Sequence, residues 1–330
     1  MMPLAAAGLL VCVVVCNPRP ASGGLGDLVD TVRDRLDPLL LPSDLIVEPG
    51  KEVQLKASLR TGLRLEGIPG KRIRFFRDDQ LVGESRTDDD GNATAAWQVP
   101  PEPGDYLFAV RVHPDDQPKR PAPDAELLVA ARPADAKIAV TDLDKTVVAS
   151  GFFRVLAGGA KPMPGAAVVL ERLAKDHTIV YLTHRPDVFG PSSRKWLAEN
   201  RFPRGPVLTS TVSGFLAGSE RYKTDRLDDL KRTFKNLAVG IGDKLSDARA
   251  YVQNNVRSIL ILDVDWSKDD WKDYQKLADQ LAQLPDTIHV VTNWSQISEI
   301  LFQNAEYPKE EMEKRLREVA DKLRRTGERG

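Results

Sequence analysis

Cysteine is almost missing from this chain. Its 330 residues include two, Cys12 and Cys16, both in the first apolar run. The cysteine-free remainder excludes a disulfide framework and a cysteine-ligated zinc site in the main body. Histidine is nearly as scarce: the four at 113, 177, 184 and 289 are too scattered to read as a His-based metal site. No excess of positive charge exists either. Against 48 acidic residues stand 47 Lys and Arg, a net charge of -1, so a nucleic-acid partner has no electrostatic basis. The apolar run from Leu4 to Cys16 falls short of the ~20 residues that a bilayer-spanning helix needs. Internal repeats are absent.

What remains is ordinary globular material: 42% apolar and 29% charged residues, at a length that suggests about two domains. The run up to Cys16, followed by the small residues Ala21 to Gly23, predicts a signal peptide or membrane anchor over residues 1–24, although no basic segment precedes it. An exported or membrane-anchored protein is the expectation: periplasmic, extracellular or cell-surface. Cys16 either carries a lipid or is apolar filler. Leu25, Leu28, Val29, Val32 and Leu36 are spaced as in a short amphipathic helix, ended by Pro38 and Pro42, so 25–44 reads as helix and linker.

From 45 to 132 the period is two. "EVQLKASLR" sets Val53, Leu55, Ala57 and Leu59 against polar partners, and "GDYLFAVRV" and "AELLVAA" add strands. Turns are expected at Asp78-Asp79 and at Asp89 to Asn92, where Asp-Gly between alternating runs predicts a hairpin. The pattern predicts a small antiparallel β-sandwich. In "PGKEVQLKASL" and "GKRIRFFRDDQLVGESRTDDDGNATAAW" it resembles bacterial immunoglobulin-like modules, which implies a fold and no activity. "AARPADA", 130–136, lacks periodicity and reads as the linker after it. A chain starting near Pro133 is therefore expected to fold.

From 136 to 305 strands and helices alternate. "KIAVTDL", "TIVYLT", "PVLTS", "LAVGIGD", "RSILILDV" and "TIHVVTN" are near-continuous apolar runs, separated by helical stretches such as 164–175, 191–200, 224–235 and 246–254. This predicts an α/β doubly wound parallel sheet, with its ligand at the carboxyl ends of the strands. The charged stretch 306–330 predicts a solvated surface helix.

Chemistry-bearing residues gather at those strand ends. The first strand runs into Asp142, Asp144 and Thr146, and the second into Thr183, His184 and Arg185. Lys223 opens a helix after the third, and the fourth ends in "GIGDKLSD", with Asp243 and Asp247. Carboxylates meeting at one edge repel unless a divalent cation joins them, and oxygen donors favour Mg²⁺. A hydroxyl and an ammonium beside them suit a phosphoryl group.

This order of motifs resembles the haloacid dehalogenase superfamily of phosphotransferases, over Ala136 to about Trp294. "PMPGAAVVLERLAKDHTIVYLTHRPDVFGPSSRKWLAENRFPRGPVL" and "SGFLAGSERYKTDRLDDLKRTF" are closer to the lipin-type and fungal actin-patch-type phosphatidate phosphatases. Lys145 departs from their pattern, which has a small or acidic residue there. The resemblance implies that Asp142 is a nucleophile forming an aspartyl-phosphate. It makes Asp144 the general acid and base. Thr183 then binds phosphoryl oxygens, and Lys223, competing with Lys231 and Lys244 for the role, neutralises their charge. Asp142, Asp144 through its carbonyl, Asp243 and Asp247 hold Mg²⁺. His184 and Arg185 either touch substrate or face solvent, and Asp247 alternatively caps a helix. The substrate class implied is phosphatidate or a related phosphorylated lipid, presented at a membrane surface. Soluble or protein phosphoesters are a further class. The related C-terminal domain of membrane-associated phosphatidylinositol transfer proteins, which commonly lacks the nucleophile, implies a lipid-sensing alternative. Neither gap between the motifs holds a cap domain, so an open site is expected. Phe152, Phe153 and Leu156 beside Arg154 then form its rim, or pack on the β-domain instead.

Overall fold

The computed structural model describes residues 38–61, 65–149, 160–211 and 219–327. The leader, Cys12, Cys16, most of the expected 25–41 helix and the Phe152 to Leu156 rim lie outside them. The chain divides into two compact units. Residues 1–42, 54–97 and 108–126 form one, and 43–53, 98–107 and 127–330 the other.

Among the described residues, nine strands precede residue 132: β1 (Leu39–Pro42), β2 (Leu45–Val47), β3 (Glu52–Thr61), β4 (Glu66–Gly67), β5 (Arg72–Arg77), β6 (Gln80–Arg86), β7 (Asn92–Gln98), β8 (Gly104–Val112) and β9 (Ala125–Ala131). One sheet has the order β1-β3-β4 with β7 also on β3, and the other β2-β9-β8-β5-β6. Alternation explains their inner faces: Leu55, Ala57 and Leu59 of β3 are buried, as are Ile73 and Phe75 of β5.

Three expectations change here. Leu39–Pro42 is a strand paired with β3, so no helix extends through it. The region is not wholly antiparallel, because β2 pairs β9 in parallel. The Asp-Gly turn is not a hairpin, since it connects β6 of one sheet to β7 of the other. Gly91 stands there at φ 76°, and a Cβ would sit 2.4 Å from the Leu59 carbonyl oxygen, so only glycine fits. The tight hairpin is at Asp78-Asp79, which join β5 to β6 with φ of 49° and 57°, values that suit a type I′ turn.

The parallel sheet contains β10 (Lys137–Thr141), β11 (Thr178–Pro186), β12 (Val207–Ser210), β13 (Asn236–Gly242), β14 (Arg257–Ile261) and β15 (His289–Val291), ordered β12-β11-β10-β13-β14-β15. The sheet is buried on both faces, which is why its strands read as continuous apolar runs. Ala139, Val239, Ile241 and Ile259 pack with α1 (Ala166–Leu173), α2 (Gly190–Glu199) and, further along the chain, the helix Trp294–Gln303. Ile138, Val140, Val180 and Leu182 face the other way, onto α3 (Ser219–Thr233) and α4 (Leu245–Gln253). Fully burying a residue such as Leu227 of α3 stabilises by about 1.5–3 kcal/mol.

Two more helices, α5 (Trp271–Ala282) and α6 (Trp294–Gln303), precede the tail helix α7 (Lys309–Gly327). The tail is not merely solvated. Met312, Leu316 and Ala320, four residues apart, bury one stripe in a cluster with Tyr274, Ala278 and Leu281 of α5.

Candidate active site

The sheet reverses its strand order between β10 and β13, the crevice where open α/β sheets bind ligands. Thr141 pairs with Tyr181 on one side and Ile241 on the other. Asp142 therefore follows directly at the end of β10, held by its N–H donating to the Ile241 carbonyl at 2.9 Å. Asp243 leaves the end of β13. Thr183, two residues past Tyr181, lies on β11 beyond the end of β10.

Lys223 comes from α3, where it shares the buried face with Leu227 and Leu230 at i, i+4 and i+7. Its side chain is 1% exposed. The ammonium donates to Asp247 Oδ1 at 2.8 Å and stands 3.1 Å from Asp142 Oδ1. Burial works against that charge, but Asp142 and Asp247 together outweigh it and hold the lysine above its ordinary range. Lys231 instead donates to the Asn254 carbonyl, and Lys244 is exposed.

Asp247 sits in the first turn of α4 and binds Lys223 rather than capping the helix. Gly242 makes its approach to β13 feasible: a Cβ there would come within 2.6 Å of Asp247 Oδ2. The glycine of "GIGD" is thus a part of the site that the motif reading passed over. Asp142, Asp243 and Asp247 bring one carboxylate oxygen each to within 4.8 Å of one another. Burial, then the charges of Asp142 and Asp247, push Asp243 up to about 7, and Asp247 is raised mainly by burial.

Among the described residues, Asp243 Oδ1 and Asp247 Oδ2 are buried with no hydrogen-bond partner. Buried acceptors without donors are costly, and three carboxylates share one lysine. A hard divalent cation supplies what this oxygen-only set lacks, so the residues fit Mg²⁺.

Asp144 is absent from that trio. Arg185 holds its carboxylate in a fork, Nε to Oδ2 at 2.8 Å and a terminal nitrogen to Oδ1 at 2.6 Å. Any cation contact from Asp144 falls to its carbonyl, as the family resemblance has it. Arg185 is 4% exposed, so it does not face solvent. His184 is half-buried, its ring 5.9 Å from that of Tyr222. Thr146 is fully buried, its carbonyl accepting from Trp294 Nε1 at 2.8 Å. Lys145 has φ 56°, a left-handed conformation that a non-glycine residue adopts at a cost.

Acids at the strand ends beside the switch point, with a buried lysine bridging two of them, are consistent with a HAD-like domain that follows an all-β region. Residues 139–263 match the family model described as PITM 1-3, LNS2 domain, a HAD-like phosphatase domain family. No curated protein matches the chain. Three solved structures share partial likenesses with the chain. A Corynebacterium diphtheriae protein described as membrane-anchored is 17% identical, with TM-score 0.24, over 31% of this chain and 22% of its own. The Ig1-2 module of the Drosophila receptor protein tyrosine phosphatase DLAR is 12% identical, with TM-score 0.23, over 33% and 60%. A glycosyl hydrolase family 2 member from Bacteroides cellulosilyticus is 12% identical, with TM-score 0.29, over 78% and 36%. This chain thus spans less than two thirds of each, and likenesses at these scores carry no argument about it.

Proposed function

We propose that the chain is a Mg²⁺-dependent phosphomonoester hydrolase acting on phosphatidate or a related phosphorylated lipid. The observation that carries the reading is the trio Asp142, Asp243 and Asp247, with buried Lys223 paired to Asp142 and Asp247 and two carboxylate oxygens unpartnered. Asp142 attacks phosphorus and the bond from phosphorus to the leaving oxygen breaks. That oxygen takes the proton carried by Asp144. Water then attacks the aspartyl-phosphate and gives a proton to Asp144, releasing phosphate and restoring Asp142. Lys223 steadies the Asp142 carboxylate, and Thr183 binds phosphoryl oxygens. Asp142, Asp243, Asp247 and the Asp144 carbonyl would hold Mg²⁺, which would supply positive charge to offset that of the phosphoryl group.

The family match favours a second reading, phosphatidate sensing without turnover. A phosphate-release panel with Mg²⁺ separates them: phosphatidate in vesicles, soluble phosphomonoesters, and vesicle co-sedimentation alongside. Release from phosphatidate supports the hydrolase. Binding without release supports the sensor, and release from soluble esters alone moves the substrate class. Export or anchoring belongs to the proposal too. No helix among the described residues is long and apolar enough to cross a membrane.

A further inference from the structure

Arg185 takes no part in the steps above, yet its side chain is buried and hydrogen-bonded on two sides. Besides its fork on Asp144, Nη1 donates to Ser193 Oγ of α2 at 2.9 Å. Its backbone N–H donates to Thr183 Oγ1 at 3.3 Å, and its carbonyl accepts from Ser210 Oγ of β12 at 3.2 Å. Ser193 and Ser210 are themselves buried. The guanidinium is therefore tied to α2 through Ser193, and its backbone to β12 through Ser210, so that it presents a planar fork to Asp144. Asp144 lies past the end of β10 in a turn, its backbone bridged to Val148 and next to Lys145 in its left-handed conformation, while its carboxylate is held by the Arg185 fork. A carboxylate in a turn, two residues from the acidic trio, needs something to fix which way it points.

We infer that Arg185 is a positioning residue: it holds Asp144 out of the cation cluster and aimed for proton transfer to the leaving oxygen. The inference rests on the hydrolase reading and assigns a residue that this reading leaves unused. A fork contacting both carboxylate oxygens fixes the plane of the group. Lysine, a point charge on a flexible stem, cannot do so.

The test compares Arg185→Lys, Asp144→Asn and the double variant, with Mg²⁺, on dioctanoyl phosphatidate and p-nitrophenyl phosphate. An alkoxide leaves poorly without a proton, and nitrophenolate leaves well. General acid catalysis contributes about 10²–10⁴-fold. Arg185→Lys should lose about 10²-fold in kcat on phosphatidate with KM little changed, but less than about 10-fold on the aryl ester. In the Asp144→Asn background it should cost nothing further, because the arginine acts through that carboxylate. Ser193→Ala should show the same split, smaller, and decides the matter if Arg185→Lys does not fold. Equal losses on both esters, a loss carried by KM, or additive losses in the double variant overturn the positioning role while leaving the hydrolase standing. A wild-type protein that hydrolyses neither ester overturns the hydrolase and this role with it.

Discussion

Two buried acidic places in this molecule differ in one respect. Asp44 has a fully buried side chain, and both its oxygens are used: Oδ1 accepts from the Leu128 N–H at 3.0 Å and lies 3.2 Å from Arg194, and Oδ2 accepts from the Val207 N–H at 2.9 Å. Burial raises Asp44, and Arg194 with the two N–H donors offsets this only in part. At the switch point three carboxylates crowd one lysine, and two of their oxygens have no partner. Burial and a raised carboxyl are common to both, so neither marks function. The unmet acceptors do. Asp44 ties the segment before β2 to β9 and β12, whereas the trio is complete only with something added.

The comparison breaks most visibly at Asp142. Asp142→Asn should lower turnover by at least about 10³-fold, because an amide cannot attack phosphorus. It also removes one of three repelling charges, so the thermal midpoint of the chelator-treated protein should hold or rise. Retained turnover would sink the nucleophile. A collapsed midpoint would mean that the trio is structural, like Asp44.

Asp44→Ala should show the opposite signature. It leaves Arg194 and two backbone donors without their acceptor, and breaking such a buried pair costs about 3–5 kcal/mol. Urea unfolding should register that loss, while kcat per folded molecule stays near wild type. The same contacts bear on a chain starting at Pro133. It lacks Asp44, and also Arg132, whose Nε donates to Thr178 Oγ1 at 2.9 Å. Soluble and active, such a chain should still be less stable than the whole. Equal stability would show the clamp to be idle.

Much of the candidate site was legible in the sequence because its residues follow strand ends, and strands buried on both faces announce themselves as apolar runs. Lys223 stood out from Lys231 and Lys244 only once α3 was seen to turn it inward with Leu227 and Leu230. The role of Arg185 could not be read, because its partners lie 8 residues away at Ser193 and 41 away at Asp144. Asp44 gave no local sign at all, since Val207 is 163 residues distant. The Asp-Gly turn misled because a turn signal is local, whereas which sheet the next strand joins is not. The tail helix did carry its signal: Met312, Leu316 and Ala320 form a stripe inside a charged sequence.

A third test uses pH at the trio. With Asp243 pushed up to about 7, the folded protein binds a proton that the unfolded chain gives up near its ordinary 3.8. The folded state binds more protons between those values, so the stability of the cation-free protein should fall as pH rises from about 4 to 7. The whole decline is roughly 4 kcal/mol. Mg²⁺ competes with that proton, so its affinity should rise over the same window and its stabilisation should be larger at pH 7.5 than at 5.5. Calorimetric titration at the two pH values reads both. An affinity independent of pH would remove Asp243 from the cation's ligands.

The smallest effect belongs to an acid of the opposite kind. Asp116 is partly exposed, and the Arg72 side chain at 2.6 Å, then the Arg72 N–H at 3.1 Å, lower it to about 2. Here the unfolded chain binds the proton more readily than the folded one. The contribution to stability is therefore present above about 3.8 and is lost as pH falls through about 2. Solvent screens the pair, and exposed ion pairs contribute little. Asp116→Asn should thus lower the thermal midpoint only slightly at pH 7, and the gap from wild type should close below pH 3.8. Added salt should narrow the gap at pH 7, whereas it should leave the loss in Asp44→Ala nearly unchanged, because screening reaches exposed pairs and not buried ones. A salt-insensitive gap at Asp116 would mean that its two bonds to Arg72 act by fixing the loop before β9 rather than by charge.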